Sequence, residues 1–219
     1  MIKAFIFDLD GTLIDTEKIY RQVWPKAIAD VGYTMSDEMY LEMRSMGRPF
    51  ALERFRRDFG EGFDYDRARQ IRKGYFEEYI NKNGIQLKKG ALELLTFLRA
   101  KGIMTAIATA TDPERARQYL KMSGLHGYID KLISATMVDE GKPSPKVYAF
   151  ACSELGFAPE ECIAVEDAPN GVISAHGAGL RVIMVPDLTP PDDKMKSLAY
   201  DCVESLEDIK NEFENKYIY

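Results

Sequence analysis

The chain has 219 residues, 46% apolar and 29% charged, a balance that fits one large or two smaller soluble globular domains and excludes a disordered chain. Its 29 basic and 35 acidic side chains leave a net charge of −6, so no overall basic field exists to hold nucleic acid or an anionic membrane, and an anionic ligand would need local cations or a metal. No apolar run approaches the ~20 residues of a membrane-spanning helix.

The chain opens directly into Ile2-Lys3-Ala4-Phe5-Ile6-Phe7, without the n-region, long apolar stretch and small-residue cleavage site of a signal peptide. A cytoplasmic protein is expected. Ala4 to Phe7 is a short, continuous apolar run, the pattern of a strand covered on both faces. From about Thr16 to about Gln86 the pattern turns helical with no convincing strand. Its apolar markers are Trp24, Ala27 and Val31, then Met39 to Met46, then Leu52, Phe55 and Phe59, then Ile71, Tyr75 and Tyr79. Gly32, Gly47, Gly60, Gly62 and Gly84 punctuate it.

After Leu87 an alternation begins. A helical segment through Leu92, Leu95 and Leu98 stops at Lys101-Gly102, and a strand follows at Met104 to Ala108. Asp112-Pro113-Glu114 has the form of an N-cap with proline at the first helical position, and Ser144-Pro145 repeats it. Further strands are expected at Cys162 to Val165 and Val182 to Val185, with weaker signals at Lys131 to Ser134 and Asp201 to Val203. The fold class is therefore α/β: an open parallel, Rossmann-like sheet core of residues 1–15 and 87–219, with an inserted all-helical cap domain over 16–86. Cys152, Cys162 and Cys202 have no metal-binding spacing and are expected to be buried free thiols.

Four groups of polar residues stand at expected strand ends, where ligands bind in open parallel sheets. Asp8 and Asp10 follow the first strand, with Gly11 permitting a sharp turn that could aim N–H groups at one point. Two carboxylates so close require a cation or a proton. By itself the pair also reads as an Asp-Gly turn. Thr109 and Ala110 end the second strand ahead of a helix N-terminus, a place suited to phosphate oxygens, although a plain helix cap reads the same way. Lys142, stiffened by Pro143 and Pro145, could neutralise a phosphoryl group or a carboxylate. Glu166 and Asp167 supply hard oxygen ligands suited to Mg²⁺. Together they form a full inventory for phosphoryl transfer.

The ordered set Asp8-Leu9-Asp10-Gly11-Thr12, Thr109, Lys142-Pro143 and Glu166-Asp167 resembles the four motifs of the haloacid dehalogenase superfamily, over nearly the whole chain. The helical insertion falls where that family carries its small helical cap. The resemblance implies that Asp8 attacks phosphorus to form an aspartyl-phosphate. Asp10 then acts as acid and base. It also implies that Asp8, the Asp10 carbonyl and Asp167 hold Mg²⁺ with Glu166 in or near the shell, that Thr109 and the Ala110 N–H bind phosphoryl oxygens, and that Lys142 bridges Asp8 and the phosphoryl group.

Within that family the second aspartate argues against dehalogenation, which needs no leaving-group proton. Phosphonate cleavage would need a Schiff-base lysine in the cap, and Lys18, Lys26, Lys73 and Lys82 qualify by residue type only. Asp15-Thr16-Glu17 and Trp24 are similar to the sugar-phosphate phosphatases and β-phosphoglucomutase-like enzymes. The mutases typically carry histidine where Tyr20 stands and arginine near Phe50, which favours phosphatase over mutase. Arg44 and Arg48, flanking Gly47, are candidate cap ligands for the substrate. Response-regulator receivers share a similar chemical set but lack an insertion of about 70 residues. The expected ligand is a small phosphorylated metabolite, which the family resemblance implies is a sugar phosphate; the expected hinges lie near Asp15-Thr16 and Asn83 to Lys88, and a monomer is expected.

Overall fold

The computed structural model describes residues 1–217. Strand β1 (Ala4–Phe7) is apolar and buried at all four positions, which is why it sits at the middle of a sheet. It pairs in parallel with β2 (Met104–Thr109) on one side and β4 (Cys162–Glu166) on the other, so that Phe7 stands level with both Ile107 and Val165. With β3 (Lys131–Ser134), β5 (Arg181–Met184) and β6 (Asp201–Cys202) the six strands run in the order β3-β2-β1-β4-β5-β6, all parallel.

Helices α1 (Glu17–Asp30), α2 (Asp37–Met43), α3 (Phe50–Phe59) and α4 (Tyr65–Asn83) all lie between β1 and β2 in the chain. α5 (Ala91–Ala100), α6 (Pro113–Met122), α7 (Lys146–Leu155), α8 (Pro169–Gly177), α9 (Asp193–Leu198) and α10 (Leu206–Lys216) follow, interleaved with the strands. Alternating side chains of β1 serve two apolar layers. Phe5 and Phe7 join Leu94, Leu95 and Leu98 of α5 and Phe213 of α10, while Ala4 and Ile6 face Val147, Tyr148 and Ala151 of α7 and Val172 of α8. Burial on both faces explains the continuous apolar runs of the sequence.

The chain leaves and re-enters the sheet through one narrow seam. Ile14 and Leu87 form an antiparallel bridge, Asp15 N–H donates to the Gln86 carbonyl at 2.8 Å, and Lys88 N–H donates to the Leu13 carbonyl at 3.0 Å. Both expected hinge segments meet there.

Some expectations shift. β2 and β4 each run one residue further than their apolar runs, to Thr109 and Glu166, and β5 begins at Arg181 and ends at Met184. Asp112 caps α6, its Oδ1 accepting from the Arg115 N–H at 3.2 Å, whereas Ser144 does not cap α7. The Ser144 N–H instead closes a turn on the Gly141 carbonyl, and α7 starts at Lys146. Cys152 and Cys162 are buried, but Cys202 lies exposed on the edge strand β6. The buried face of α4 is Ala68, Arg72, Phe76 and Ile80, one position along from the expected Ile71, Tyr75 and Tyr79, which are only half-buried. Reading apolar residues alone misses this row because an arginine occupies its middle.

Candidate active site

The strand order places β1 beside β4 at the point where successive connections switch from one side of the sheet to the other, and ligands of open α/β sheets bind at the carboxyl ends there. Asp8 is the residue after β1, Asp167 the residue after β4, and Glu166 the last residue of β4. Lys142 arrives on the loop before α7 and is fully buried. Its Nζ donates to Asp8 Oδ1 at 2.5 Å and to Glu166 Oε1 at 2.5 Å, and Tyr148 OH donates to the same Glu166 oxygen at 2.6 Å.

Burial raises the Asp8 carboxyl well above the usual carboxylate range, against the opposing pull of Lys142. Burial likewise raises Asp167, against Arg44. Burial alone would lower the Lys142 ammonium, yet Asp8 and Glu166 outweigh it and hold the proton more tightly than on a free lysine. Asp8 Oδ2 and Glu166 Oε2 are buried without a hydrogen-bond partner. Carboxylate oxygens of Asp8, Glu166 and Asp167 lie within 4.8 Å of one another. Orphaned, clustered hard oxygens fit a divalent cation such as Mg²⁺, which would supply the charge that two unpaired buried oxygens lack.

Asp10 is oriented by two hydroxyls. Thr16 Oγ1 donates to its Oδ1 at 2.6 Å and Thr111 Oγ1 to its Oδ2 at 2.8 Å. Thr109 is buried at the end of β2, where its Oγ1 accepts the Thr111 N–H at 3.1 Å, and Ala110 beside it lines the cavity above the strand ends.

Gly11 does not offer its N–H to a ligand, because that group donates to the Ile14 carbonyl at 2.8 Å. What it offers is room. Its φ is +91°, and a Cβ there would stand 2.6 Å from Asp167 Oδ2. Gly47 likewise makes room: its N–H donates to the Lys142 carbonyl at 2.8 Å, and the Gly141 N–H donates to the Arg48 carbonyl at 2.8 Å. This reciprocal pair brings the α2–α3 loop against the loop that carries Lys142. Asn170 Nδ2 adds bonds to the carbonyls of Glu42 at 3.1 Å and Arg44 at 2.9 Å.

The two expected cap arginines part company. The Arg44 side chain is fully buried, with Nη1 on Asp167 Oδ2 at 2.9 Å and Nη2 on Thr189 Oγ1 at 2.6 Å, so it belongs to the acidic centre. Arg48 pairs with Asp66 and lies 5.0 Å from the Tyr65 ring centroid. Lys18, Lys26, Lys73 and Lys82 do not line the cavity. The cavity measures about 370 Å³, within the range of small-molecule sites.

Sequence reasoning missed several residues that the fold brings here. Tyr148 holds Glu166, Thr111 holds Asp10, and Glu17 bonds Tyr40. Burial pushes the Glu17 carboxyl up to about 7, Arg44 and Tyr40 opposing. Arg69, Arg72 and Arg115 line the cavity with Tyr20 and Trp24. Arg72 at four-residue spacing from Ala68 and Phe76 was the available signal.

Comparison with known proteins gives consistent matches. A family model for haloacid dehalogenase-like hydrolases matches residues 2–179. Hexitol phosphatase A of Escherichia coli (strain K12) is 34% identical over 208 residues, covering 94% of this chain and 93% of its own. The protein CbbY of Rhodobacter capsulatus is 31% identical over 204 residues, 88% of this chain and 89% of its own. A crystal structure of CbbY from Rhodobacter sphaeroides in complex with phosphate superimposes with a TM-score of 0.82 at 28% identity, covering 95% of this chain and 96% of that one. Among the described residues no helix is long and apolar enough to cross a membrane.

Proposed function

The chain belongs to the haloacid dehalogenase-like hydrolases, and within that family we propose that it is a Mg²⁺-dependent phosphatase of a small phosphorylated metabolite, a sugar or polyol phosphate, acting through an aspartyl-phosphate on Asp8. The observation that carries the reading is the buried Lys142 ammonium shared by Asp8 and Glu166, with Asp8 Oδ2 left free of partners at the floor of the cavity. A carboxylate must approach a dianionic phosphate here, and the lysine offsets that repulsion.

Asp8 attacks phosphorus, forming the Asp8 O–P bond as the bond to the leaving oxygen breaks. Asp10, oriented by Thr16 and Thr111, gives that oxygen a proton. It next takes a proton from the water that attacks the acyl phosphate, which releases inorganic phosphate and restores Asp8. The Thr109 hydroxyl and the Ala110 N–H take phosphoryl oxygens. Asp8, Asp167 and the Asp10 carbonyl, with Glu166, would hold the metal. Bound there, Mg²⁺ supplies positive charge to the transferring phosphoryl group. Residues 16–86 act as a cap domain that excludes water and, through Gly47 and Arg48, shapes the substrate end of the cavity.

A phosphatase is preferred to a phosphosugar mutase because relatives at 30% identity or more include hexitol phosphatase A, and because the position held by histidine in mutases carries the buried Tyr20. The test is phosphate release from a panel of phosphomonoesters with Mg²⁺, repeated with EDTA and with Asp8→Asn. Turnover abolished by EDTA and by Asp8→Asn is expected. Asp8→Asn that keeps turning over would remove Asp8 as nucleophile.

A further inference from the structure

The wall of the cavity carries positive charge that the acidic centre does not use. Arg72 of α4 is only 8% exposed, and its Nε is buried with no hydrogen-bond partner. Among the described residues no carboxylate forms an ion pair with it. Its guanidinium carbon lies 4.8 Å from the Tyr20 ring centroid and 4.9 Å from that of Trp24. Cation–π contact offsets only about 2 kcal/mol, less than the several kcal/mol that burying an uncompensated charge costs. An apolar side chain would complete the Ala68, Phe76, Ile80 row without that cost.

Arg72 has cationic company. Arg69, one turn earlier and half-buried, also lacks an ion-pair partner among the described residues. Burial together with repulsion from Arg72, Arg48 and Arg115 weakens its hold on its proton. Arg115 comes from α6, on the sheet side, with Nη2 at 3.1 Å from Tyr119 OH and Nη1 at 3.3 Å from Asp112 Oδ2. Arg48 pairs with Asp66. Neither Asp112 nor Asp66 lines the cavity, while Arg48, Arg69, Arg72 and Arg115 all do. Arg69, Arg72 and Arg115 make no hydrogen bond or ion pair with Asp8, Glu166 or Asp167 among the described residues. Asp10, Glu17 and Asp139 also line the cavity, yet among the described residues none of them forms an ion pair with Arg69, Arg72 or Arg115, so these three charges of one sign, drawn from α4 and α6, lack an anion.

We propose that Arg69, Arg72 and Arg115 form a second anion-binding site, which selects phosphoesters carrying a phosphate or carboxylate at the end away from the reacting phosphoryl group. The inference rests on the phosphatase reading for what occupies the rest of the cavity. The bound anion would bridge α4 and α6, so substrate itself would tie the helical layer to the sheet.

The test uses three sugar or polyol phosphates of one chain length that differ at the far carbon: hydroxyl, carboxylate or a second phosphate. For the wild type with Mg²⁺, kcat/KM should be at least tenfold higher for one or both anionic-tail compounds, chiefly through KM. Whichever tail is preferred identifies the anion. Arg72→Met and Arg115→Met should each cut the anionic-to-neutral ratio at least tenfold, and Arg72→Lys should restore part of it, which a packing role would not do. If Arg72→Met does not fold, the wild-type ratio and Arg115→Met decide. Asp8→Asn, titrated calorimetrically with the same compounds, should bind the preferred tail more tightly, with affinity falling as salt rises. Equal hydrolysis of all three compounds overturns the second site and leaves the phosphatase reading standing. Tail discrimination in binding without phosphate release from any compound does the reverse. A ratio unchanged in both methionine variants also overturns the site.

Discussion

Replacing Lys142 by methionine keeps most of its volume and removes the only ammonium among the described residues that contacts Asp8 and Glu166. Each contact spans 2.5 Å, which at an effective dielectric near 20 is an attraction of about 7 kcal/mol before desolvation is counted. Relaxation and protonation recover much of that, and breaking a buried pair typically leaves a net loss of about 3–5 kcal/mol. The loss should depend on pH with a definite sign. Without the lysine, the folded variant holds the Asp8 proton more tightly still, where the unfolded chain releases it. Its stability therefore falls as pH rises, by up to about 1.4 kcal/mol per unit for each retained proton. Asp8 is raised in the wild type as well, so the wild-type minus variant difference is the quantity to follow. Urea unfolding in EDTA at pH 5 and pH 8 measures it, EDTA preventing a divalent cation from replacing the lost charge. The gap should be small at pH 5 and widen toward pH 8, with phosphate release reduced at least a hundredfold. A pH-independent loss below about 1 kcal/mol with wild-type turnover would refute the assignment of Lys142 as the compensating charge.

Gly47→Ala puts a Cβ 2.7 Å from the Gly141 Cα, a backbone contact that cannot rotate away. The seam must part, and kcat/KM for phosphate release should drop at least tenfold, with wild-type kinetics counting against a lid closed at this point. Arg44→Met removes a cation 2.9 Å from Asp167 that competes with a metal, so calorimetric Mg²⁺ affinity should rise about fivefold, and unchanged or weaker binding would contradict that competition. Glu17, with its carboxyl raised from 4.5 to about 7, keeps its proton in the folded state where the unfolded chain loses it. Its stabilisation is complete below pH 4.5 and is lost as pH climbs to about 7, up to about 3 kcal/mol, and Glu17→Gln should flatten that segment of the stability profile; an identical slope in both proteins would locate the proton elsewhere.

The sheet was legible because strands buried on both faces have no alternation to disguise them, and β1, β2 and β4 show as plain apolar runs. Even the weak signals at Lys131 and Asp201 mark β3 and β6, edge strands whose exposed sides dilute the pattern. The residues expected at strand ends do converge, since parallel strands deliver their carboxyl ends to one edge. The failures share a different cause. Arg72, at helical spacing from Ala68 and Phe76, is passed over when periodicity is read from apolar residues alone, because here the buried row contains a charge. Tyr148 and Thr111 hold Glu166 and Asp10 through hydroxyls that no local pattern distinguishes from ordinary helix and turn residues. That the Gly11 N–H closes on the Ile14 carbonyl, leaving the glycine to supply space beside Asp167, is likewise unmarked in the sequence.

Under the proposed function, reaction and choice of substrate would be set on different parts of the chain, and the two parts meet at one loop. Gly141 and Lys142 give their backbone N–H and carbonyl to the α2–α3 loop, while the Lys142 side chain reaches down to Asp8. A movement of the helical layer at Gly47 therefore acts on the backbone of the residue whose ammonium balances Asp8 and Glu166. Arg44, on the same loop, holds Asp167 from the other side. Separating this seam would withdraw Arg44 from one carboxylate and loosen the lysine between two others, leaving the acidic centre more negative. Such a centre would then favour a divalent cation, and closure would favour an anion between α4 and α6. Cation and substrate would thereby bind in a preferred order, with the seam at Gly47 and Gly141 as the common element.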